Sequence, residues 1–229
     1  SSISKILCES GLFIFEVHYL ADIIEKMQYD SIYHEHFSYH SITALSTFLK
    51  KYGLEIYNIK KFSVRGGMIR VYAKKISNKN LQICTAVSDF LQSEKKLGLD
   101  RLETFEIFGK SVMNHKEEMI SLLKKLKSEG KKIVAYGMSG RGNTLLNFWQ
   151  VDVKIIDYGI DASPERYDRY VPGMHIPIIP PDNALDGVDY ALLFAWVFKD
   201  DIMKKENEFI KNGGKFIIPM PKPHFEPIN

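Results

Sequence analysis

The stretch KKIVAYGMSGRGNTLLNFW, residues 131–149, constrains the fold of this chain more than any other feature. An apolar run that passes through a glycine-rich turn into a helical segment predicts a β-strand, a tight turn and an α-helix. Later apolar runs predict further strands: KIIDYGID, DYALLFAW and GGKFIIPMP. Such strands, separated by helical segments, are typical of a parallel sheet with helices on its faces. We therefore expect an α/β protein in which residues 131–229 form a Rossmann-like, doubly wound domain.

The turn after the first of these strands is also a predicted binding site. It contains three glycines and three polar residues: Gly137, Gly140 and Gly142, with Ser139, Arg141 and Asn143. Bare backbone N–H groups and the positive end of a helix hold phosphates well. The spacing is G-x-x-G-x-G rather than the dinucleotide fingerprint G-x-G-x-x-G, but Asp161 follows about twenty residues later, where a ribose hydroxyl is often held. The alternative interpretation is that the glycines only permit a tight turn.

The first 76 residues are expected to form a smaller α/β segment. The run LFIFEV (12–17) has the length and aromatic content of a buried strand in a parallel sheet. Ser41 is predicted to cap a helix over SITALSTFLKKYG. The segments LEIYNIKKF and MIRVYAKK flank SVRGG and predict an antiparallel pair. Apolar residues at three- and four-residue spacing predict a helical connector over residues 77–130.

Two other segments are candidate ligand contacts. Gly66 and Gly67 would let the backbone approach a ligand with Arg70 beside it, although a hairpin turn with a solvated arginine explains the same residues. The proline-rich connection DASPERYDRYVPGMHIPI contains His175 and follows a predicted strand, where open α/β sheets bind ligands. A rigid surface loop is the alternative interpretation of that connection.

The stretch YDSIYHEHFSYHS, residues 29–41, gathers three histidines, one glutamate and three tyrosines. One interpretation is a metal site from His34, His36 and His40, although the spacing is not the helical H-E-x-x-H of zinc sites. A second is a set of structural histidines satisfied by hydrogen bonds. A third is acid–base chemistry, because a histidine that titrates near neutrality, beside a carboxylate and a phenol, suits removal of a proton next to a carbonyl.

The backbone conformation of this stretch decides which side chains meet. In an extended segment, neighbouring side chains point to opposite faces, so His36 would share a side with His34 while Tyr33 and Glu35 would lie on the other. An irregular segment would let Tyr33, Glu35 and His36 converge. Both conformations are compatible with the sequence.

Composition excludes several classes of partner. The net charge is +3, from 31 basic and 28 acidic residues, and no sustained basic face appears, so nucleic acid is not an expected partner. No apolar run approaches the roughly 20 residues that span a bilayer. Cys8 and Cys84 are too few for a disulfide framework or a four-thiolate zinc site. We expect a cytosolic protein without a membrane partner and without a metal of its own; the oligomeric state is not predicted.

Five motifs, in order along nearly the whole chain, identify a family resemblance. They are YDSIYHEHFSYHSITAL, GLEIYNIKKFSVRGGMIRVYA, VAYGMSGRGNTLLN, DASPERYDRYVPGMHIPI and LLFAWVF with GGKFIIPMP. Together they resemble the C-terminal part of the sugar C-methyltransferases that act on nucleotide-linked deoxysugars. In that family an N-terminal zinc-binding module precedes an S-adenosylmethionine-binding domain, and a second Rossmann-like domain follows.

The resemblance implies a substrate and a mechanism. The expected partner is a nucleotide-diphosphate sugar with a 4-keto group, and His36 is the candidate base that removes the proton beside that ketone. Tyr33 and Glu35 would orient the sugar or assist proton transfer. The enolate formed in this way would attack the methyl group of S-adenosylmethionine. The resemblance also implies that residues 1–76 are the end of a class I methyltransferase sheet.

The chain departs from the family pattern in several places. The zinc-ligand cysteines and the glycine-rich turn that binds the methyl donor are absent from this sequence. The usual H-G-G-S reads Arg65-Gly66-Gly67-Met68, and the usual A-W-N-F reads Ala195-Trp196-Val197-Phe198. We therefore expect a C-terminal piece of a longer enzyme, inactive alone. Two other functions stay open: a non-catalytic module that binds a nucleotide-sugar, and a nicotinamide-dependent oxidoreductase.

Overall fold

The computed structural model describes residues 2–62 and 66–227, so Arg65 of the predicted turn lies outside the described residues. The chain forms two compact units. Unit 1 contains the residues up to Lys26 together with Phe37–Gly109, and unit 2 contains Met27–His36 together with the residues from Lys110 onward. Most of the histidine-rich stretch therefore belongs to the unit that also contains the glycine-rich turn. The division into three functional domains, 1–76, 77–130 and 131–229, stays a prediction.

Unit 1 is built on a three-stranded sheet with the order β1-β3-β2 and two antiparallel pairings. Its helices and strands are α1 (Ser2–Ile6), β1 (Leu12–His18), α2 (Leu20–Glu25), α3 (Ile42–Lys50), β2 (Leu54–Phe62), β3 (Met68–Lys75) and α4 (Thr85–Leu97). The antiparallel pairing predicted for β2 and β3 is confirmed, with Ile59 opposite Val71. Helices α3 and α4 pack on β2, and their apolar residues form one core with those of β3.

The prediction of a parallel, fully buried strand at residues 12–17 is wrong. Strand β1 pairs with β3 in the antiparallel direction, with Phe15 opposite Val71. Its side chains alternate, because Leu12 and Ile14 are exposed while Phe13 and Phe15 pack against the core. A continuous apolar run suggested two buried faces, but in the described structure only one face of this strand is covered.

The start of helix α3 is fixed by two polar side chains. Ser41 Oγ accepts a hydrogen bond from the Ala44 N–H at 3.1 Å, which confirms the predicted cap. The buried carboxylate of Glu94, on α4, accepts from the N–H groups of Ile42 and Thr43 at 2.5 and 2.9 Å. Because the first turn of a helix leaves its N–H groups without intrahelical partners, these contacts tie α4 to α3.

Unit 2 contains a six-stranded sheet and the larger part of helix α5 (Leu102–Ser128). The boundary between the two units along the chain lies within this helix, after Gly109. The other elements are one-turn 3-10 helices (Tyr29–Ser31, Pro164–Arg166 and Trp196–Phe198), β4 (Ile133–Tyr136), α6 (Gly140–Trp149), β5 (Gly159–Ile160), β6 (Ile178–Ile179), β7 (Tyr190–Leu193), α7 (Lys199–Lys205), α8 (Asn207–Lys211), β8 (Lys215–Ile218) and β9 (His224–Glu226). Strands β4, β7 and β8 are almost entirely buried, as expected for the centre of a parallel sheet covered on both faces.

The strand order of this sheet is β6-β5-β4-β7-β8-β9, and every pairing is parallel except that of β9. The chain starts in the middle at β4, proceeds to one side and then returns to the other side at β7. The α/β, Rossmann-like fold class is thereby confirmed. In such sheets ligands bind outside the carboxyl ends of the strands, where the order reverses. Here that position lies between the ends of β4 and β7.

Helix α6 begins earlier than the sequence suggested. The predicted turn extended through Asn143, but the helix starts at Gly140, with Ser139 in extended conformation before it. Only Gly137, Met138 and Ser139 therefore connect β4 to α6. Glycine lowers helix propensity, which is why the segment read as a loop, yet the first turn of a helix tolerates it.

None of the helices in the described ranges is both long and apolar enough to cross a membrane.

Candidate functional site

The segment Met27–His36 is anchored in unit 2 by its 3-10 helix. Gln28, Tyr29, Asp30 and Ser31 are all buried, although three of them carry polar side chains and the fourth a phenol. Ser31 Oγ donates to the carbonyl oxygen of Gln28 at 2.7 Å. Buried polar groups need partners, so the contacts of these residues show what holds the segment in place.

Asp30 is fully buried and ion-paired. Its Oδ2 accepts hydrogen bonds from Arg141 Nη1 at 3.0 Å and from the Trp196 indole N–H at 2.8 Å. The Arg141 guanidinium also lies over the Trp196 ring, 5.8 Å from its centroid, in cation–π geometry. Arg141 stands in the first turn of α6, and Trp196 follows β7. Asp30 therefore connects the segment to both strand ends at the position where the sheet order reverses.

Tyr29 joins a buried chain of hydrogen bonds. Its hydroxyl accepts from the Trp149 indole N–H at 2.9 Å and lies 2.8 Å from His115 Nδ1. His115 Nε2 lies 2.7 Å from the carbonyl oxygen of Pro219, which only accepts, so Nε2 carries the proton. In the neutral ring Nδ1 then accepts from the Tyr29 hydroxyl. Burial lowers the pKa of His115 and raises the pKa of Tyr29, and both shifts favour this neutral arrangement.

The chemistry-bearing residues follow in a turn, Tyr33 to His36. The His36 N–H donates to the Tyr33 carbonyl oxygen at 2.9 Å, so the segment is irregular rather than extended. The rings of Tyr33 and His36 consequently lie on one side, with their centroids 4.3 Å apart. His34 and Glu35 are exposed. Of the two conformations considered from the sequence, the extended one is wrong for this turn.

The tautomer of His36 follows from its backbone contact. Its Nδ1 lies 2.7 Å from the Ser31 carbonyl oxygen, and because a carbonyl only accepts, Nδ1 must be the protonated nitrogen. In the neutral ring, Nε2 therefore carries the lone pair. Burial and the charge of Glu35 raise the pKa of Tyr33, so its phenol keeps its proton near neutral pH. The pair thus offers a proton acceptor on His36 and a proton donor on Tyr33.

The three glycines predicted to bind phosphate, one before α6 and two in its first turn, each lie against another side chain or backbone. Gly137 has φ of 79°, and a Cβ there would lie 2.8 Å from Ala195 Cβ. A Cβ on Gly140 would lie 3.0 Å from the ring of Tyr33, and one on Gly142 would lie 2.9 Å from the ring of Phe194. Gly142 thus brings α6 close to the end of β7, and Gly140 brings α6 close to the Tyr33 ring.

The polar residues of the same stretch, Ser139, Arg141 and Asn143, make hydrogen bonds within unit 2. Ser139 precedes α6 without a side-chain capping bond, and its carbonyl oxygen accepts from the Asn143 N–H. Asn143 Oδ1 accepts from Asn147 Nδ2 at 2.9 Å. Arg141 contacts Asp30 as described above. The phosphate-binding role assigned to these residues from the sequence stays a prediction.

A crevice of about 320 Å³ opens at the carboxyl ends of β4, β5 and β7. It is lined mainly by apolar atoms, from residues that end or follow strands of the sheet and from helix α7: Tyr136, Gly137, Ser139, Ile160, Asp161, Ala162, Pro181, Ala195, Ile202 and Lys205. Asp161 is buried, and its carboxylate accepts from the Ser163 N–H at 2.8 Å and from Arg166 Nη1 at 2.7 Å. Gly137, Ser139 and Asp161, predicted from sequence spacing, are therefore brought together.

His175 lies apart from this group. It is exposed, has φ of 55°, and is not among the residues that line the crevice. The loop before it is held by Asn147 Nδ2, which donates to the Pro172 carbonyl oxygen at 3.0 Å. A ligand-binding role for His175 stays a prediction.

Gly66, Gly67 and Arg70 belong to unit 1. A Cβ on Gly67, whose φ is 128°, would collide with the buried carboxylate of Asp22, and Lys61 Nζ contacts that carboxylate at 2.6 Å. Arg70 Nε donates to Glu16 Oε1 at 2.6 Å across the β1–β3 pair. These contacts give Gly67 and Arg70 structural roles, while their role in binding a ligand stays a prediction.

Sequence reasoning missed the residues that anchor the segment: Tyr29, Asp30, His115, Trp149 and Trp196. Asp30 stands inside the histidine-rich stretch, and a carboxylate next to aromatic residues was a signal that its charge needs a partner. His115 gave no such signal, because it lies in a long helix among charged residues. Among the residues described, no group of three or more histidine, cysteine, aspartate or glutamate side chains is arranged to hold a metal ion.

Comparison with known proteins identifies the family of the chain. A family model described as the C-methyltransferase C-terminal domain matches residues 63–221. The chain is also 32% identical over 224 residues to a protein named C-methyltransferase NovU from Streptomyces niveus, an alignment that covers 97% of this chain and 53% of the relative. The chain thus spans about half the length of the curated relative it matches. It belongs to the family of C-methyltransferase C-terminal domains.

Proposed function

We propose that this chain is the C-terminal part of an S-adenosylmethionine-dependent C-methyltransferase that acts on a nucleotide-linked 4-keto-deoxysugar. The observation that carries the proposal is the Tyr33–His36 pair in a member of this family, with the His36 Nδ1–H bonded to the Ser31 carbonyl oxygen and the Tyr33 ring close to Gly140. Alkylation of carbon next to a ketone first needs removal of the proton from that carbon. A positioned base and an acid are the groups that this step requires.

In the proposed reaction His36 Nε2 takes the α-proton of the sugar. The electron pair of the C–H bond moves into the bond toward the carbonyl carbon, and negative charge develops on the ketone oxygen. The protonated phenol of Tyr33, beside His36, is placed to donate a hydrogen bond to such an oxygen. Glu35, exposed in the same turn, would orient a sugar hydroxyl. S-adenosylmethionine, when bound to the complete enzyme, supplies the methyl group for the carbon.

The nucleotide of the substrate is assigned to the strand-end crevice. Its apolar walls suit the faces of a planar base, and Asp161 keeps acceptor capacity for a ribose hydroxyl beside its two hydrogen bonds. The phosphates would lie toward Ser139 and the first turn of α6, with Gly140, Gly142 and Asn143. Gly66, Gly67 and Arg70 of unit 1, and His175, are kept as proposed ligand contacts on the sequence grounds given above.

The proposal places the binding site for the methyl donor outside this chain. Such a site needs a parallel strand that runs through a glycine-rich turn into a helix. Strand β4 and helix α6 form such a unit, which the proposal assigns to the nucleotide of the substrate, and the described sheet of unit 1 is antiparallel. We therefore propose that the donor site, and any zinc module, belong to sequence corresponding to the other half of the relative, and that residues 1–76 complete the sheet of that methyltransferase domain.

The test uses the complete enzyme of which this chain is proposed to be the C-terminal part, together with a set of nucleotide-linked 4-keto sugars. We expect the sugar's α-proton to exchange with deuterated solvent in the absence of a methyl donor, observed by mass spectrometry or NMR. Addition of S-adenosylmethionine should then give a product heavier by one methyl group. Binding of the nucleotide-sugar with neither exchange nor methylation would favour the non-catalytic binding module instead, and calorimetric binding of NAD would favour an oxidoreductase.

A further inference from the structure

We infer that Asp30, Arg141, Trp196 and Gly140 form a socket that positions the turn carrying Tyr33 and His36. The inference rests on the proposed function in that it makes these four residues positioning groups for the proton transfer. It also gives the first turn of α6 a second role, because Gly140 and Arg141 were predicted from sequence to contact phosphate. In the structure both residues contact the segment Met27–His36.

The first part of the socket is electrostatic. Asp30 is fully buried, its Oδ2 accepts from Arg141 and Trp196, and its Oδ1 has no hydrogen-bond partner among the described residues. A buried carboxylate with so few partners depends strongly on each of them. The Arg141 side chain is only 12% exposed. The Nη1 donor that serves Asp30 is thus directed into the protein, toward the segment.

The second part is a connection through the backbone, from Asp30 to the Ser31 carbonyl oxygen that holds His36. Ser31 follows Asp30 in the same 3-10 helix, and the Ser31 carbonyl oxygen is the acceptor of the His36 Nδ1–H. Any displacement of Asp30 therefore moves the atom that fixes the tautomer and orientation of the imidazole. In this way the ion pair acts on the lone pair of Nε2 through the backbone, without contact between Arg141 and the ring being required.

The third part is steric. The Tyr33 ring lies over Gly140, where a Cβ would be 3.0 Å from Tyr33 Cε2 and 3.3 Å from Cζ. Those distances are shorter than an ordinary carbon–carbon contact of about 3.5–4.0 Å. Because Gly140 has no side chain, the Tyr33 ring can pack directly against the first turn of α6. Because the Tyr33 and His36 rings are in contact, the position of one constrains the other.

The first arm of the test uses this chain itself and does not depend on activity. Nitrogen-15 NMR of the histidine rings should show His36 in a single tautomer with Nδ1 protonated. In Asp30→Asn and Trp196→Phe we expect that signal to move toward a mixture of tautomers, while Arg141→Lys should change it less than Arg141→Gln. Asp189→Asn is the matched control, since it breaks an ion pair with Lys131 at the amino ends of β4 and β7. An unchanged His36 tautomer in Asp30→Asn and Trp196→Phe would overturn the inference.

The second arm measures the full-length enzyme. We expect Trp196→Phe and Arg141→Gln to lower kcat and the rate of α-proton exchange by about 10-fold or more, the scale on which small misplacements of a reacting group are felt. KM for the nucleotide-sugar should change far less. A raised KM with unchanged kcat would overturn the inference and return Arg141 to phosphate binding. If the wild-type enzyme shows no exchange at all, the proposed function fails. The NMR measurement of the His36 tautomer tests the socket independently of that result.

Discussion

Asp30 and Arg141 are separated by 111 positions in the sequence and form a buried ion pair, with 3.0 Å between Asp30 Oδ2 and Arg141 Nη1. Removal of one partner of such a pair leaves an uncompensated buried charge, which costs about 3–5 kcal/mol. Arg141→Ala should therefore lower the free energy of unfolding by that amount in urea denaturation followed by circular dichroism. Asp189→Asn, in an exposed pair, should cost about 0–1 kcal/mol. Equal losses in the two variants would show that Asp30 is not strongly dependent on Arg141.

His36 should be the residue on which proton removal depends. Positioned general bases contribute about 10²–10⁴ in rate, so His36→Asn in the full-length enzyme should lose turnover and solvent exchange by that factor. Affinity for the nucleotide-sugar should remain. His34→Asn is the matched control because His34 is exposed in the same turn, and its effect should be much smaller. Exchange that survives in His36→Asn but disappears in Tyr33→Phe or Glu35→Gln would reassign the base.

Gly140→Ala should disturb the Tyr33 ring. The added Cβ would lie 3.0 Å from the ring, so the ring must shift by a few tenths of an ångström. We expect altered NMR signals of Tyr33 and His36 and slower solvent exchange in the full-length enzyme. Gly109→Ala is the control, because a Cβ there meets nothing within 4 Å in helix α5. That variant should gain up to about 1 kcal/mol of stability and leave the Tyr33 signals unchanged. Identical Tyr33 signals in Gly140→Ala would contradict the close packing.

The stability of the protein should depend on the protonation of His115. Burial lowers the pKa of His115 in the folded state below the value of about 6.5 in the unfolded chain. Between those two values the unfolded state binds more protons, so the free energy of unfolding should fall as the pH drops below about 6.5 and should be fully regained above it. The measurement is the urea midpoint at several pH values. His115→Gln should flatten this dependence, and His34→Gln should not; an unchanged slope in His115→Gln would assign the effect to other groups.

Tyr29→Phe should weaken the anchor of the segment without changing its shape. The variant leaves the Trp149 N–H and His115 Nδ1 without their buried partner, and a buried group that loses its hydrogen bond costs about 1–3 kcal/mol. Hydrogen exchange of the amides at residues 29–36 should become faster as the segment opens more often. Unchanged protection of these amides would show that the Asp30 contacts suffice.

The chain by itself should not bind S-adenosylmethionine. This expectation follows from the absence of the family's glycine-rich donor turn from the sequence, and isothermal calorimetry with the purified 229-residue chain tests it. A nucleoside diphosphate provides the comparison ligand, since the strand-end crevice lies within unit 2. Measurable binding of the methyl donor to this chain would overturn the assignment of the donor site to other sequence.

The sequence predicted well those features that depend on neighbouring residues. The strands around DYALLFAW and GGKFIIPMP, the antiparallel pair β2–β3 and the Ser41 cap each follow from local periodicity or from one side chain and the backbone next to it. The direction of β1 could not be obtained in this way, because an apolar run does not reveal how its strand pairs. The start of α6 was predicted too late in the sequence, because glycines in the first turn of a helix resemble those of a loop.

The candidate site was only partly predictable. The polar stretch around Tyr33, Glu35 and His36 was noticed from its composition, and the roles predicted for these three residues came from the family resemblance. Asp30 was not recognised, because its partners stand 111 and 166 positions away and only the folded chain brings them near. The crevice was located in advance through the spacing between the glycine-rich turn and Asp161, which reflects the regular geometry of a βαβ unit.

The discontinuity of unit 2 in the sequence has a practical consequence for anyone who wishes to excise or swap this module. A gene fragment that begins at residue 110 or 131 would encode the whole six-stranded sheet and yet omit Met27–His36. The excised protein would retain a guanidinium whose carboxylate is missing and two indole rings whose acceptors are missing. To transfer the whole of unit 2, one would have to supply the segment Met27–His36 separately, as a tethered or added peptide. Recovery of stability on addition of that peptide would make this module a split-protein system, assembled by the same ten residues that carry Tyr33 and His36.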